Sequence, residues 1–144
     1  MNEIIKLLDS NLNYLYHSII DDTIYIFVES LLDVVACPFC GTFSNKVHSK
    51  YQRSFQDLPI QGKKVQIIIH NRKLFCLNKN CDHTTFAERF SFLDYKSKKT
   101  KRLENEIITL SLNCSSIVAS KHLNRNTVKI GKSTICNLIK KKSV

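Results

Sequence analysis

Glycine and proline are scarce in this chain, with three glycines and two prolines among 144 residues. That scarcity excludes collagen-like and low-complexity architectures. With 43% apolar and 24% charged residues the chain reads as globular, long enough for one ordinary domain or two small ones. Long apolar runs are missing as well: nothing approaches the roughly 18 residues of a spanning helix, which excludes a helical membrane protein. The start, Met1-Asn2-Glu3-Ile4-Ile5-Lys6, carries an early acid and no extended apolar core, so it does not read as a secretory leader. A secreted disulfide scaffold is disfavoured for the same reason. The expected compartment is the reducing cytoplasm, where paired cysteines more often hold a metal than form disulfides.

Positive charge is scarce at one end and concentrated at the other. Residues 1–36 hold one base, Lys6, against six acids; residues 37–95 hold nine bases against four acids; residues 96–144 hold twelve bases against two acids. The overall net charge of +10 therefore resides in the last third, bounded by Lys96, Lys98, Lys99, Lys101 and Arg102 at one end and Lys140, Lys141 and Lys142 at the other. Such a gradient points to an anionic partner, most often a phosphate backbone. The plain alternative is a solvated lysine-rich surface.

In residues 1–36, Ile4, Ile5, Leu7 and Leu8 suit a short starting helix. Leu15–Ile20 and Thr23–Glu29 alternate apolar and polar residues around Asp21-Asp22, the pattern of a β-hairpin. No catalytic constellation appears there.

The strongest motif is Cys37-Pro38-Phe39-Cys40-Gly41, followed by Cys76-Leu77-Asn78-Lys79-Asn80-Cys81. Two close cysteine pairs supply four thiolates, the ligand set of a closed tetrahedral zinc site. Gly41 permits the positive φ that closes the first turn, and Asn78 and Asn80 tolerate the turn in the second. The gap between the pairs is filled by two expected strands, Tyr51–Leu58 and Lys64–Phe75, joined at Pro59-Ile60-Gln61-Gly62. Val65, Ile67 and Ile69 point to one face and Gln66, Ile68 and His70 to the other. Residues 37–95 thus read as a zinc ribbon lengthened by a hairpin. His83 is an alternative ligand and His48 a weaker one, but four thiolates already complete the shell. His17, His70 and His122 read as ordinary exposed or packed histidines. A zinc deaminase is excluded because no histidine here begins a His-x-Glu motif. A rubredoxin-like iron centre fits poorly with so basic a neighbouring segment.

Residues 96–144 read as helices. Leu103, Ile107 and Leu110, with Ile108 and Leu112, form a helical stripe after Thr100. Ser115-Ser116 can cap a second helix carrying Ile117, Val118, Ala119, His122 and Leu123, ended by Asn124-Arg125-Asn126. A third follows Gly131, with Ile135, Leu138 and Ile139 on its buried side and Lys132, Ser133, Asn137, Lys140 and Lys141 on the other. That is the composition of a recognition helix, with short polar side chains for base edges and lysines for phosphates. Asn124–Gly131 is longer than the usual turn of a helix-turn-helix. A long turn is preferred here to an early start at Thr127. Gly131-Lys132-Ser133-Thr134 imitates a phosphate-binding loop, but Asn126 stands where that loop needs its first glycine, so nucleotide binding is rejected. Cys114 and Cys136 fall outside the zinc spacing and suit small core positions.

The succession Cys37-Pro-Phe-Cys-Gly41, Val47-His-Ser-Lys-Tyr-Gln-Arg53, Asp57-Leu-Pro-Ile-Gln-Gly62, Arg72-Lys-Leu-Phe-Cys76 to Cys81, and Phe86-Ala-Glu88 resembles the N-terminal zinc-binding region of ISL-three family insertion-sequence transposases. The resemblance runs from about Cys37 to Glu88 and, more loosely, through the helical segment, where the family places a helix-turn-helix. It implies recognition of transposon-end DNA in a bacterial, nucleoid-associated setting. It also implies that cutting would need three acids of a ribonuclease-H-like domain, which does not follow in this sequence, so no catalysis is expected.

The fold expected is α+β: an N-terminal helix and β-hairpin over 1–36, a zinc-ribbon-like β domain over 37–95, and a helix-turn-helix segment over 96–144. The expected metal is Zn2+ on Cys37, Cys40, Cys76 and Cys81. The expected partner is double-stranded DNA, touched by Lys132, Ser133, Asn137, Lys140, Lys141, Lys98, Lys99, Lys101 and Arg102. The alternative is a zinc-ribbon interaction protein that docks on a full-length transposase or on a second copy of itself.

Overall fold

The structure is a computed structural model that describes residues 1–113, 118, 120–121, 124 and 132–143. A short helix α1 (Asn2–Leu8) leads into strands β1 (Leu12–Ile20) and β2 (Thr23–Ser30). Two two-residue strands follow, β3 (Val35–Ala36) and β4 (Phe43–Ser44), and then the long pair β5 (Val47–Ile60) and β6 (Lys63–Phe75). A three-residue β7 (Thr85–Ala87) precedes helices α2 (Lys101–Asn113) and α3 (Lys132–Ser143). The architecture is α+β with strands predominating.

Both expected hairpins form, and their turn chemistry explains why. Asp21 takes φ 54° between β1 and β2, a conformation that aspartate tolerates better than most residues. Gln61 and Gly62 take φ 55° and 74° between β5 and β6, the pair of positive angles of a type I′ turn. The strands outrun the sequence reading. β5 extends from Val47 to Ile60, and Pro59-Ile60 belongs to the strand across a register shift between Asp57 and Ile60, not to the turn. A proline fits there because an irregular strand position asks for no ladder N–H.

The main sheet has the order β1-β2-β6-β5, with β7 also on β6. β2 lies parallel to β6, aligning Ile24 with Val65, Ile26 with Ile67, and Val28 with Ile69. Period two then sends all six side chains to one face, where each is buried. Phe55 of β5 joins them, and Ile5 of α1 with Phe92 and Leu93 closes the core from above. In α1 only Ile5 is buried, while Leu7 is 80% exposed, so the expected apolar stripe narrows to one anchor.

A second core holds the helices. Leu103 and Ile107 of α2 and Ile135 of α3 are fully buried together, with Leu58 of β5, Leu110, Leu138 and Ile139 packed around them. The stripe expected over Leu103, Ile107 and Leu110 and the buried side expected for the last helix both face this contact, whereas Leu112, expected on the same stripe, is 72% exposed. Of the helix expected over 117–123, Val118, Ser120 and Lys121 are described and helical; its other residues, positions 125–131 of the turn expected over Asn124–Gly131, and Cys114 lie outside the described residues. Asn124 is helical and its Nδ2 donates to Ser120 Oγ at 3.3 Å, so the expected break does not begin at Asn124. Among the described residues no helix is long and apolar enough to cross a membrane.

Candidate metal centre

The four cysteines come from two turns brought together at one end of the β5–β6 hairpin. The first turn is cradled between β3 and β4: the Cys37 N–H donates to Thr42 O at 2.9 Å, and the Gly41 N–H donates to Cys37 O at 2.8 Å. Gly41 sits at φ 82°, as the motif requires, and space around it is open, so conformation and not crowding calls for glycine. The second turn starts where β6 ends. Cys76 N–H donates to Thr84 O at 2.9 Å, Asn80 N–H to Asn78 Oδ1 at 3.0 Å, and Cys81 N–H to Asn78 O at 3.1 Å. Asn78 thus folds the four-residue spacer back on itself. Beneath lie Val35, Leu74 and Phe86, a small core that fixes both turns.

The sulfurs of Cys37, Cys40, Cys76 and Cys81 all lie within 4.8 Å of one another, and those of Cys40 and Cys76 are 3.5 Å apart. A tetrahedral zinc with bonds of about 2.3 Å separates its sulfurs by about 3.8 Å, so the donor set fits the ion. Among the described residues this is the one group that could hold a metal. His83 is outside it; its ring stacks on Phe39 with centroids 3.5 Å apart and planes 5° from parallel. Cys136 is half-buried on α3, away from the group.

Crowding splits the thiols. Cys40 is drawn down to about 6 by hydrogen bonds from the Thr42 side chain and backbone, which favour its thiolate. Cys76 is pushed up to about 12: the Asn78 backbone N–H favours its thiolate, but desolvation and hydrogen bonding with Cys40, Cys37 and Cys81 outweigh it. In Cys81 the stabilising His83 backbone contact is likewise outweighed by desolvation and Cys40, and the thiol rises. Zinc binds thiolates, so the raised Cys76 and Cys81 thiols give up protons as the ion is taken up. Once bound, the metal supplies a crosslink between the two turns.

The expected DNA-binding residues fall into two groups. Asn137 is exposed on α3, whose backbone also carries Lys132, Ser133, Lys140 and Lys141. Lys98, Lys99, Lys101 and Arg102 lie at the junction of sheet and helices, and there the structure shows internal contacts that spacing did not suggest. Gln56 N–H donates to Lys98 O at 2.8 Å and Thr100 N–H to Gln56 O at 3.0 Å. Lys101 Nζ is 3.5 Å from Asp94 Oδ1. Asp57, the acid of the Asp-Leu-Pro run, is 3% exposed and accepts from Thr100 Oγ1 and Arg102 Nε, each at 2.8 Å, and from Arg102 Nη2. Thr100 also caps α2, its Oγ1 accepting from the Leu103 N–H at 3.3 Å. The Asp57 carboxylate holds the Arg102 guanidinium above its ordinary range, against some desolvation.

Arg72 and Glu88 form a matching bracket near the metal end. Arg72 grips the buried Glu88 through Nε and Nη2, each at 2.9 Å, and reaches Leu32 O at 2.8 Å, while Ser30 Oγ donates to Glu88 Oε2 at 2.8 Å. Residues of the family-like succession at 57, 72 and 88 are thus structural ties.

Residues 33–81 match the family described as the zinc-finger of transposase IS204/IS1001/IS1096/IS1165. No curated protein and no solved structure matches the chain. The ISL-three resemblance holds over this segment, which is similar to a transposase-type zinc finger, and its four cysteines are a Zn2+ site.

Proposed function

We propose that this chain is a zinc-stabilised, non-catalytic module that binds double-stranded DNA at transposon ends. Its metal ligands are Cys37, Cys40, Cys76 and Cys81, and its helices form a helix-turn-helix in which α3 reads the major groove. In this reading Lys132, Ser133 and Asn137 approach base edges and Lys140 and Lys141 hold phosphates. Lys98, Lys99, Lys101 and the solvent edge of Arg102 add backbone contacts beside them. The observation that carries the reading is the tie at Asp57, which fastens a transposase-type finger to a segment with twelve bases and two acids. Zinc in this role does no chemistry; it holds the ribbon that holds α2.

The test is a set of electrophoretic titrations with random and element-end duplexes at several salt concentrations. Asn137→Ala is expected to flatten sequence preference with nonspecific binding kept. Lys140→Ala with Lys141→Ala is expected to weaken all duplexes alike and lower the salt slope by roughly one unit per lost contact. Identical losses in the two variants would sink the recognition-helix assignment, and unchanged binding would sink the DNA reading. Leu15, Tyr16, Ile19 and Ile20, exposed along β1, favour a second reading in which the sheet docks on a full-length transposase or another copy. Binding with a shallow salt dependence would speak for that.

A further inference from the structure

Beyond the part of the sheet that α1 and residues 90–93 cover, the same face of β5 and β6 opens into two adjoining grooves of about 460 and 610 Å³. They share Tyr51, Ala87, Arg89 and Tyr95. Their aromatic groups form a connected series. His83 stacks on Phe39; the Arg89 guanidinium lies 5.3 Å from the Phe39 centroid and 4.3 Å from that of Tyr95; Lys96 Nζ lies 5.3 Å from Tyr95 on its own account. These rings are open to solvent, Phe39 at 47% and Tyr95 at 61% exposure. Tyr51, also exposed, is fixed in place because its hydroxyl accepts from Nδ2 of the fully buried Asn71 at 2.9 Å.

The charge around the rings has one sign. Lys73, Arg89, Lys96 and Arg53 line the grooves, and the one acid on their lining, Glu88, is buried and taken up by Arg72. Large exposed rings interleaved with cations are costly to leave in water, and they suit a ligand with flat apolar faces on an anionic backbone. A paired duplex hides its base faces inside the stack. A single strand offers both phosphate and open bases, and base–aromatic stacking on a basic groove is the general physics of single-strand binding.

We infer that the grooves beside the metal centre bind single-stranded DNA, its unpaired bases stacking on Tyr95 and on the stacked Phe39–His83 pair and its phosphates meeting Arg89, Lys73 and Lys96. The inference rests on the DNA-binding reading above but uses a different face from α3. The zinc-loaded full chain is titrated by fluorescence anisotropy with a labelled short oligothymidylate and, separately, a blunt duplex of mixed sequence. Tyr95→Ala is expected to weaken the oligothymidylate by about 5- to 160-fold, the range for losing one base–aromatic stack, and to leave the duplex unchanged. Tyr95→Phe, which keeps the ring, is expected to retain binding. Phe39→Ala should act like Tyr95→Ala, with zinc content measured because it stands between two ligands. Lys140→Ala with Lys141→Ala should show the opposite selectivity. No oligothymidylate binding, or equal loss for both ligands in Tyr95→Ala, or equal loss in Tyr95→Phe and Tyr95→Ala, overturns the inference and leaves duplex binding by α3 standing. Ring-dependent oligothymidylate binding without duplex binding supports the inference and refutes the α3 assignment.

Discussion

Arg102→Ala should destabilise this protein more than Asp57→Ala, although both remove the same ion pair. The asymmetry comes from burial. Asp57 has a side chain 4% exposed and Arg102 one 35% exposed. In Asp57→Ala the guanidinium can turn to water, so the loss is the Thr100 hydrogen bond, about 1 kcal/mol, and a discounted charged pair, for about 2 kcal/mol in all. In Arg102→Ala the carboxylate stays in place with one donor, Thr100, and little water. Stranding a buried charge in this way costs about 3–5 kcal/mol, and the remaining donor sets the expectation near 3 kcal/mol. The double variant should resemble Asp57→Ala alone, a coupling well above the 0.5 kcal/mol scatter of independent sites. Urea unfolding of the zinc-loaded chain, followed by far-ultraviolet circular dichroism, measures all three. If Asp57→Ala is the more damaging, or if the two losses simply add, the bracket does not hold α2 in the way described.

Three further outcomes are expected. Metal analysis of reduced protein should find one zinc per chain, and Cys76→Ala or chelation should melt the β3–β4 turn and β7, since such sites draw roughly 10 kcal/mol or more from the metal; a metal-free chain with these segments intact would count against it. Gly41→Ala should cost about 1–2 kcal/mol through its φ of 82° and not through a clash, read as weaker zinc binding in a chelator competition. Phe55→Ala should cost about 3–5 kcal/mol in the same urea assay, because its ring is fully buried between the sheet and Phe92.

What could be read from the sequence follows a physical boundary. Alternation identified both hairpins and the inward set Val65, Ile67 and Ile69, because period two decides which face a residue takes. It does not decide which strand lies alongside, so the parallel pairing of β2 with β6 was invisible. The cysteine turns were legible because their chemistry is local: a two-residue spacer with glycine after it, and asparagines in the longer loop. The Asp57 bracket was not, since its partners Thr100 and Arg102 lie 43 and 45 residues away and an isolated acid carries no mark of its partner. Arg102 belongs to a basic run, and charge counting assigned the whole run to DNA. Only the fold shows that one member of it also ties the helices to the sheet. His83, weighed as a ligand on proximity to Cys81, is drawn instead to the face of Phe39.

The brackets also fix a distance, and that distance has a consequence for DNA. Tyr51, on the groove, and Asp57, which anchors α2, stand on one strand six residues apart, about 20 Å at 3.3 Å per residue. If both DNA proposals hold, the strand joins two anion-binding faces into a bivalent grip, in which the second contact is made at a high effective concentration once the first is formed. About 20 Å corresponds to roughly six base steps of 3.4 Å. If both DNA proposals hold, a duplex with a single-stranded overhang of about that length should bind tighter than a blunt duplex or an oligothymidylate, by about tenfold or more. Shortening the overhang to one or two nucleotides should abolish the gain, because the strand cannot shorten to follow it. Anisotropy titrations across a series of overhang lengths would show the step. An affinity that is flat across the series would mean that the two faces do not act on one molecule of DNA, whatever each binds alone.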